Sequence, residues 1–313
     1  MTIAVEAPTR RASAHRWSAP TTLAEALGVL AADPEARPIA GGTDLVVGDR
    51  QGRRPLPASL VAIDRIPELA TQRVDGGDLV LGALTTHAWL ASSQLVVEGW
   101  TALADASAIV GSPATRATGT LGGNLMNASP AAETVGPLIA AGAEAVLVSI
   151  SGERRVAVAD LATGPGRTLA RPDELLTEVR VPNLRGAGTA YVRLEYRQAM
   201  EIAIVGASAA VTVADGAIVG SVITLTAVAP TISRASAAAA ALAGRPPDPD
   251  VLREAGAAAA AAASPITDVR ASADYRRAMV AVVVRRALKA AVDRARGDAV
   301  PVPASRWAHG LEV

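Results

Sequence analysis

The chain has 313 residues, enough for two domains or one large domain. Its 30 Lys and Arg residues equal its 30 Asp and Glu residues, which excludes a general nucleic-acid binder, because such proteins carry a basic excess. Cysteine is absent, so the chain holds no disulfide and no thiolate-bound zinc or iron–sulfur site. The three histidines, His15, His87 and His309, are far apart in sequence, and we predict no metal site.

Half of the residues are hydrophobic, but phenylalanine is absent and aromatic residues are few. The core must therefore be built from Val, Leu, Ile and Ala. No apolar run in the sequence reaches the roughly 18–20 residues of a membrane span. Arg10-Arg11 is not followed by an apolar segment, so we interpret residues 1–14 as a flexible N-terminal tail and expect a cytoplasmic protein.

The first predicted elements form a small α/β lobe over residues 15–70. A helix over residues 21–32 is indicated by apolar residues at i, i+3, i+4 and i+7, namely Leu23, Ala26, Leu27 and Leu30. Thr21 or Thr22 is its predicted N-cap. Short buried strands are predicted at residues 37–40 and 60–64.

A second lobe, residues 71–186, is predicted to combine antiparallel strands with helices. Glycine-containing turns indicate two hairpins, and the predicted strands lie at 71–74, 79–84, 145–150, 154–158 and 176–181. Helices are predicted after the capping Thr85-Thr86, over 100–109 and over 130–141, and a Gly/Pro-rich loop over 163–172. His87 lies in the first turn of the helix after Thr86, and we interpret it as a surface or capping histidine, not a catalytic one.

A third unit is predicted over residues 187–296, after a boundary at 183–188. Three antiparallel strands are expected at 190–196, 202–213 and 217–228, the last two joined by the favoured two-residue turn Asp215-Gly216. Helices follow at 233–243, 249–263 and 272–295. On the last helix Arg276 and its basic neighbours are interpreted as a solvated face, and residues 297–313 as a mobile or partner-docking C-terminal tail.

Two glycine-rich stretches are the main candidates for a ligand site: Ala40-Gly41-Gly42-Thr43-Asp44 and Gly119-Thr120-Leu121-Gly122-Gly123-Asn124. Glycine lets the backbone approach a ligand closely, and successive N–H groups in such loops bind anions. Neither stretch has the Walker pattern or the Rossmann fingerprint. The pair suggests a ligand with a diphosphate and long polar arms, and the alternative is a tight turn at a sheet corner in each case.

Four passages resemble the FAD-binding medium subunit of the xanthine dehydrogenase family, the molybdenum hydroxylases that include aerobic carbon monoxide dehydrogenase. They are P-I-A-G-G-T-D-L (38–45), G-A-L-T-T-H (82–87), G-T-L-G-G-N-L-M-N-A-S-P (119–130) and A-V-A-P-T (227–231). The segment Asp268-Val269-Arg270 ahead of Tyr275-Arg276 is also similar to the family's last helix. The resemblance implies an α+β fold: a two-lobed FAD-binding domain of the vanillyl-alcohol-oxidase (PCMH) type, then a C-terminal three-stranded antiparallel sheet with a helical bundle.

The resemblance also implies site residues. The first stretch would wrap the FAD diphosphate through Pro38, Ile39, Ala40, Gly41, Gly42, Thr43, Asp44 and Leu45. Diphosphate and ribityl contacts are implied for Thr85, Thr118, Gly119, Thr120, Gly122, Gly123 and Asn124. Glu133 would lie near the adenosine half, Val110 against the isoalloxazine, and Leu176 and Arg197 near the flavin or adenine, with Tyr196 as a neighbour or a core tyrosine. Ahead of Gly119 the family's usual polar residues are reduced to Arg116, since Ala114 and Ala117 replace the others.

The resemblance implies an electron-transfer flavoprotein subunit with no catalytic side chain of its own. Substrate would be oxidised at a molybdopterin centre on a large subunit. Electrons would pass through [2Fe-2S] clusters of a small subunit to FAD on this chain and then to an external acceptor, within a dimer of heterotrimers. Two alternatives are a stand-alone FAD-dependent reductase or oxidase and a flavin-free scaffold subunit. The glycines retained in both stretches argue against the scaffold.

Overall fold

A computed structural model describes residues 15–197 and 199–310 of the chain. The predicted N-terminal tail, residues 1–14, and the last residues of the predicted C-terminal tail, 311–313, lie outside this part. The described residues form a three-stranded parallel sheet, a five-stranded antiparallel sheet, a four-stranded antiparallel sheet and a two-stranded ribbon, with helices around them.

The first lobe is a parallel sheet of three short strands in the order β1-β3-β2. Its elements are β1 (Arg16–Ser18), α1 (Leu23–Ala32), β2 (Ala36–Ile39), α2 (Leu45–Arg50) and β3 (Ser59–Ala62). Thr22 caps α1 by accepting the Glu25 N–H at 3.2 Å, and Ala26, Leu27 and Leu30 are buried, which confirms the predicted helix and its apolar stripe.

The second lobe is built on an antiparallel sheet in the order β4-β5-β10-β6-β7. Its strands are β4 (Gln72–Asp75), β5 (Asp78–Gly82), β6 (Glu144–Ser149), β7 (Gly152–Ala157) and β10 (Leu175–Val181). The central strand β10 places Val179 opposite Leu81 and Ala145, so leucine, valine and alanine fill the core under the helices.

Seven helices lie in this lobe: α3 (His87–Ser92), α4 (Gln94–Gly99), α5 (Thr101–Ala108), α6 (Pro113–Thr118), α7 (Leu121–Met126), α8 (Val135–Ala141) and α9 (Val158–Leu161). The second glycine stretch, predicted as a loop, is therefore partly helical, because Thr120 caps α7 by accepting the Gly123 N–H at 3.1 Å. The predicted loop 163–172 contains the short ribbon β8 (Ala162–Gly164) and β9 (Arg167–Thr168). Helix α8 begins five residues after the predicted start at 130, because Ala132 N–H donates to the Ser129 carbonyl in a turn.

The C-terminal domain packs a twisted antiparallel sheet under two long helices. Its elements are β11 (Ala187–Leu194), β12 (Val205–Ala214), β13 (Ala217–Thr226), β14 (Ser233–Arg234), α10 (Ser236–Ala240), α11 (Pro249–Ala262), α12 (Ala273–Ala295) and α13 (Ala304–Ala308). The prediction of three strands is corrected to four, since the two-residue β14 pairs with β13. Asp215 and Gly216 both have positive φ, which confirms the predicted turn.

Two predictions for the end of the chain are corrected. Arg276, predicted on a solvated face, is 3% exposed and donates to the Ile204 carbonyl at 2.7 Å and to Asp268 at 2.6 Å. Residues 304–308, predicted within a tail, form α13, in which Ala304 and Ser305 are buried. No helix in the described part of the chain is both long and apolar enough to cross a membrane.

Candidate functional site

The two glycine-rich stretches touch in the folded protein. The first joins β2 to α2, and the second follows α6 and enters α7. A Cβ on Gly41 would lie 1.9 Å from the carbonyl oxygen of Thr118 and 2.7 Å from its carbonyl carbon. Only glycine fits at position 41, because an alanine would force the two backbones apart.

The first stretch presents a row of bare backbone N–H groups. Among the described residues, no protein acceptor receives the N–H of Gly41, Gly42, Thr43 or Asp44. Gly42 has a φ of +66°, and α2 begins directly afterwards, with the Val46 N–H donating to the Gly42 carbonyl at 3.0 Å. Successive N–H groups around a left-handed residue form a concavity that binds anions.

The second stretch uses its N–H groups within the protein. The Leu121 N–H donates to the Thr85 carbonyl at 2.8 Å, and the Gly122 N–H donates to the Ala83 carbonyl at 2.9 Å. A Cβ on Gly122 would lie 2.7 Å from both the Cβ and the carbonyl oxygen of Ala83. The close approach that this glycine permits is therefore to the protein's own segment 83–87.

Polar side chains in and around the second stretch are held in place by hydrogen bonds to neighbouring residues. Thr134 Oγ1 donates to Asn124 Oδ1 at 2.7 Å, which leaves the amide nitrogen of Asn124 to donate to a ligand. Thr85 is buried, and its hydroxyl accepts from Gln72 Nε2 at 3.2 Å. Thr118 is exposed and donates to the Ala114 carbonyl at 3.3 Å. These contacts fix the orientation of the three side chains.

His87 lies at the junction of the two stretches. It is 2% exposed, so the prediction of a surface histidine is wrong. Its backbone N–H donates to the Gly119 carbonyl at 3.2 Å, and Thr86 caps the helix by accepting the Trp89 N–H. Burial, together with the nearby charge of Arg116, lowers the pKa of His87 to about 4, so its imidazole is neutral near pH 7.

Val110 and Arg116 are joined by a hydrogen bond ahead of the second stretch. Val110 is half-buried after α5, and Arg116 Nη1 donates to its carbonyl at 3.0 Å. Burial and the neighbouring charges of Arg306 and Arg193 lower the pKa of Arg116, which still remains cationic near pH 7. Arg116 therefore places a positive charge near His87.

Glu133 is 7% exposed and is paired inside the protein. Its carboxylate accepts from Arg193, which is fully buried and also contacts Glu195. Burial raises the pKa of Glu133, and the adjacent Arg193 cation opposes that shift. A contact of Glu133 with a ligand would therefore be indirect, whereas its neighbour Thr134 bonds Asn124.

Leu176 and Arg197 lie in different environments. Leu176 lies on β10 opposite Leu147 and is buried in the core of the second lobe. Arg197 is exposed and donates to Glu201 at 2.8 Å, and the Met200 N–H donates to the Gly111 carbonyl at 3.2 Å. Tyr196 is 66% exposed outside β11, so its interpretation as a core strand tyrosine is wrong.

The arrangement is suited to binding an anionic ligand through its backbone. Within residues 15–197 and 199–310, no group of three His, Cys, Asp or Glu side chains is placed to hold a metal ion. Sequence reasoning missed the place of His87 in the site. A signal was available, because His87 ends the passage 82–87, the segment on which the glycines of the second stretch pack.

Comparison with known families gives two adjoining matches. Residues 11–184 match the family described as "FAD binding domain in molybdopterin dehydrogenase". Residues 190–291 match the family described as "CO dehydrogenase flavoprotein C-terminal domain". The two matches together cover most of the chain.

The chain is similar to several known proteins over most of their length. It is 34% identical to the carbon monoxide dehydrogenase medium chain of Afipia carboxidovorans, over 88% of this chain and 96% of that protein. It is 33% identical to the 6-hydroxypseudooxynicotine dehydrogenase complex subunit alpha of Paenarthrobacter nicotinovorans, over 84% and 88%. Among solved structures, carbon monoxide dehydrogenase from Hydrogenophaga pseudoflava superposes with a TM-score of 0.86 at 34% identity, covering 90% of this chain and 98% of that one.

Proposed function

The chain belongs to the family of FAD-binding medium subunits of molybdenum hydroxylases, and from that premise we propose that it is the electron-transfer flavoprotein of a molybdopterin-dependent dehydrogenase complex. It is an oxidoreductase subunit whose cofactor is FAD. The observation that carries the proposal is the row of bare N–H groups at residues 41–44, packed against Thr118 and Gly119. An anionic diphosphate supplies the acceptors that these four donors lack.

The binding role of each residue is part of the proposal. The N–H groups of Gly41, Gly42, Thr43 and Asp44 would hold the diphosphate, with the flanking residues Pro38, Ile39, Ala40 and Leu45 shaping the loop. Thr118 and, from the second stretch, Asn124 would face the cofactor with their side chains, while the glycines of that stretch keep it packed on residues 83–87. Val110 and Arg197 would lie toward the flavin end. Glu133 would act through Arg193 and Thr134, and Leu176 by filling the core behind the site.

The contribution of this chain is binding and positioning. FAD, when bound, supplies electron transfer between a reduced partner and an external acceptor. Fixed N–H groups hold the anion without moving a proton. Arg116, anchored on the Val110 carbonyl, would supply positive charge beside His87. The chain needs no nucleophile or acid–base pair for this work.

The partners follow from the relatives, which are medium chains or subunits of dehydrogenase complexes. We propose a large molybdopterin-binding subunit and a small iron–sulfur subunit as partners, assembled as a dimer of heterotrimers in the cytoplasm. The cysteine-free sequence is consistent with iron–sulfur clusters carried by another chain. The stand-alone FAD oxidase or reductase and the flavin-free scaffold are the outcomes that a test must separate from this proposal.

The test is the cofactor content of the purified full-length chain. We expect absorbance bands near about 370 and 450 nm, as for an oxidised flavin, and a released cofactor with the mass of FAD. Gly41→Ala should lower the FAD affinity by about tenfold or more, because its Cβ would meet the Thr118 carbonyl. Gly28→Ala is the matched control, since a Cβ there meets nothing within 4 Å.

Two results would contradict the proposal. A wild-type chain that stays colourless and binds no added FAD, alone or with its partners, would favour the scaffold. A chain that oxidises a small molecule with bound FAD in the absence of any partner would favour the stand-alone enzyme.

A further inference from the structure

The imidazole of His87 lies near residues of both glycine stretches. A Cβ on Gly119 would lie 3.3 Å from His87 Cδ2 and 3.5 Å from Thr43 Oγ1. The Cβ position at Gly119 is not open space, since it also lies 2.9 Å from the Thr115 carbonyl oxygen, but the absence of a side chain there lets the His87 ring edge and the Thr43 hydroxyl both lie close to Gly119. Because Cδ2 is bonded to Nε2, that ring edge includes the Nε2 nitrogen.

The other ring nitrogen of His87 is buried without a partner. Nδ1 is inaccessible to solvent and has no hydrogen-bond partner among the described residues. The neutral ring carries one proton, on either Nδ1 or Nε2. A buried N–H without an acceptor is rarer in proteins than a buried acceptor without a donor. The environment thus favours the tautomer with the proton on Nε2.

The charges around His87 keep it neutral without removing its donor. Arg116 on α6 is the charged group that acts on the ring, and it opposes a second positive charge there. The bare N–H groups of residues 41–44 and the Thr43 hydroxyl lie on the facing stretch. The His87 imidazole and these donors therefore belong to the segments that meet at Gly119.

We propose that His87 is a further cofactor ligand, whose Nε2–H donates a hydrogen bond to an oxygen of the FAD diphosphate. This inference rests on the proposed function, because it takes the diphosphate to occupy the concavity of the first stretch. The role is that of a neutral donor that positions the diphosphate between the two stretches. The alternative is a buried histidine that only packs under Gly119.

Substitutions of His87 that place an N–H donor at different distances from the backbone distinguish these two roles. His87→Gln keeps an N–H near the position of Nε2, whereas His87→Asn reaches only as far as Nδ1 and His87→Leu has no donor. We expect FAD dissociation constants within about threefold of wild type for Gln and about tenfold or more weaker for Asn and Leu, as for loss of a hydrogen bond to a charged group. Titrations with ADP should show the same order, and titrations with riboflavin should show none of it.

The control is Ser92→Ala, on the exposed face of the same helix, which should leave FAD affinity unchanged. Thermal unfolding without FAD checks that each variant is folded. If Gln, Asn and Leu bind FAD within about threefold of one another, the packing role is correct and the proposal is wrong.

A measurement on the wild-type chain does not depend on any variant being folded. With ¹⁵N-labelled histidine, the chain gives signals from only three residues, His15, His87 and His309. We expect His87 to be protonated on Nε2 near pH 7 and its Nε2–H signal to move when FAD is added. A proton on Nδ1, or a His87 signal unchanged at saturating FAD, would overturn this inference alone, whereas a wild-type chain that binds no FAD would overturn the proposed function with it.

Discussion

At the scale of single residues, the buried ion pair of Arg193 shows how position changes the role of a carboxylate. Arg193 is fully buried between Glu133 and Glu195, and its backbone N–H donates to Ser305 Oγ at 3.0 Å. The family resemblance suggests Glu133 as a residue near the cofactor. In the fold, the Glu133 carboxylate neutralises the Arg193 cation at the contact between the second lobe and the C-terminal domain.

Removing the cation should therefore reduce stability strongly. Arg193→Met leaves the buried Glu133 carboxylate unpaired, and we expect the free energy of unfolding to fall by about 3–5 kcal/mol. The control Arg253→Met breaks an exposed pair with Asp250 and should cost less than about 1 kcal/mol. Urea denaturation of the FAD-free chain measures both. If both variants lost the same free energy of unfolding, the buried Arg193 pair would contribute no more to stability than the exposed Arg253 pair.

At the scale of elements, glycine and alanine set how closely helices and strands pack. In α11, a Cβ on Gly256 would lie 2.6 Å from the Ala281 carbonyl of α12. On β11, a Cβ on Gly188 would lie 2.0 Å from the Ala291 carbonyl of the same helix. A chain without phenylalanine thus fills its C-terminal core by bringing backbones together.

The substitution of glycine by alanine should have opposite effects on stability in α1 and in α11. Alanine is favoured over glycine in a helix interior by about 0.5–1 kcal/mol, so Gly28→Ala on the exposed face of α1 should stabilise the chain. Gly256→Ala should destabilise it by about 1–3 kcal/mol, because the new methyl group must displace the backbone of α12. Melting temperatures of the two variants test this difference. Stabilisation by both would show that α11 and α12 separate easily.

At the scale of the whole molecule, Asp105 joins the cofactor domain to the C-terminal domain. This fully buried carboxylate on α5 accepts from Arg294 of α12 at 2.6 and 3.0 Å, from the Tyr191 N–H at 3.1 Å and from the Ala304 N–H at 2.9 Å. The segment that carries Ala304 is therefore held against both domains. This one carboxylate therefore joins α5 to β11, α12 and the segment before α13.

Neutralising this carboxylate should loosen the domain contact. Asp105→Asn leaves Arg294 without its buried counter-charge, and we expect the free energy of unfolding to fall by about 3 kcal/mol or more. Limited proteolysis should also cut the variant faster in the connection at 182–187. The exposed Asp160→Asn should change neither readout. A variant as stable and as resistant as wild type would show that α12 and α5 are held by packing alone.

Strongly periodic elements were predictable from the sequence. The helices predicted at 249–263 and 272–295 lie at Pro249–Ala262 and Ala273–Ala295, because each combines a polar N-cap with several turns of apolar repeat. The short helices α2, α4, α6 and α7 were not predicted. Each has six residues, fewer than the window over which a helical period can be recognised.

The family and its cofactor could also be predicted, because the motifs that carry them are local in sequence, and the comparisons confirm both. The individual contacts could not. Gly41 and Gly122 look alike in the sequence. In the fold, Gly41 packs against Thr118 and its N–H has no protein acceptor among the described residues, whereas Gly122 packs on Ala83. Which neighbour a glycine approaches depends on how separate segments fold together.

The sequence by itself determined the building blocks: a cysteine-free α+β chain with balanced charge, two glycine-rich stretches and an alanine-rich C-terminal helical layer. Composition and local spacing suffice for these properties, since each depends on neighbours along the chain. Only the tertiary structure decided that His87 is buried between the stretches, that Arg276 lies in the core and that Asp105 joins the domains. Burial and hydrogen-bond partners come from residues far apart in sequence, and these set the protonation and role of a polar side chain.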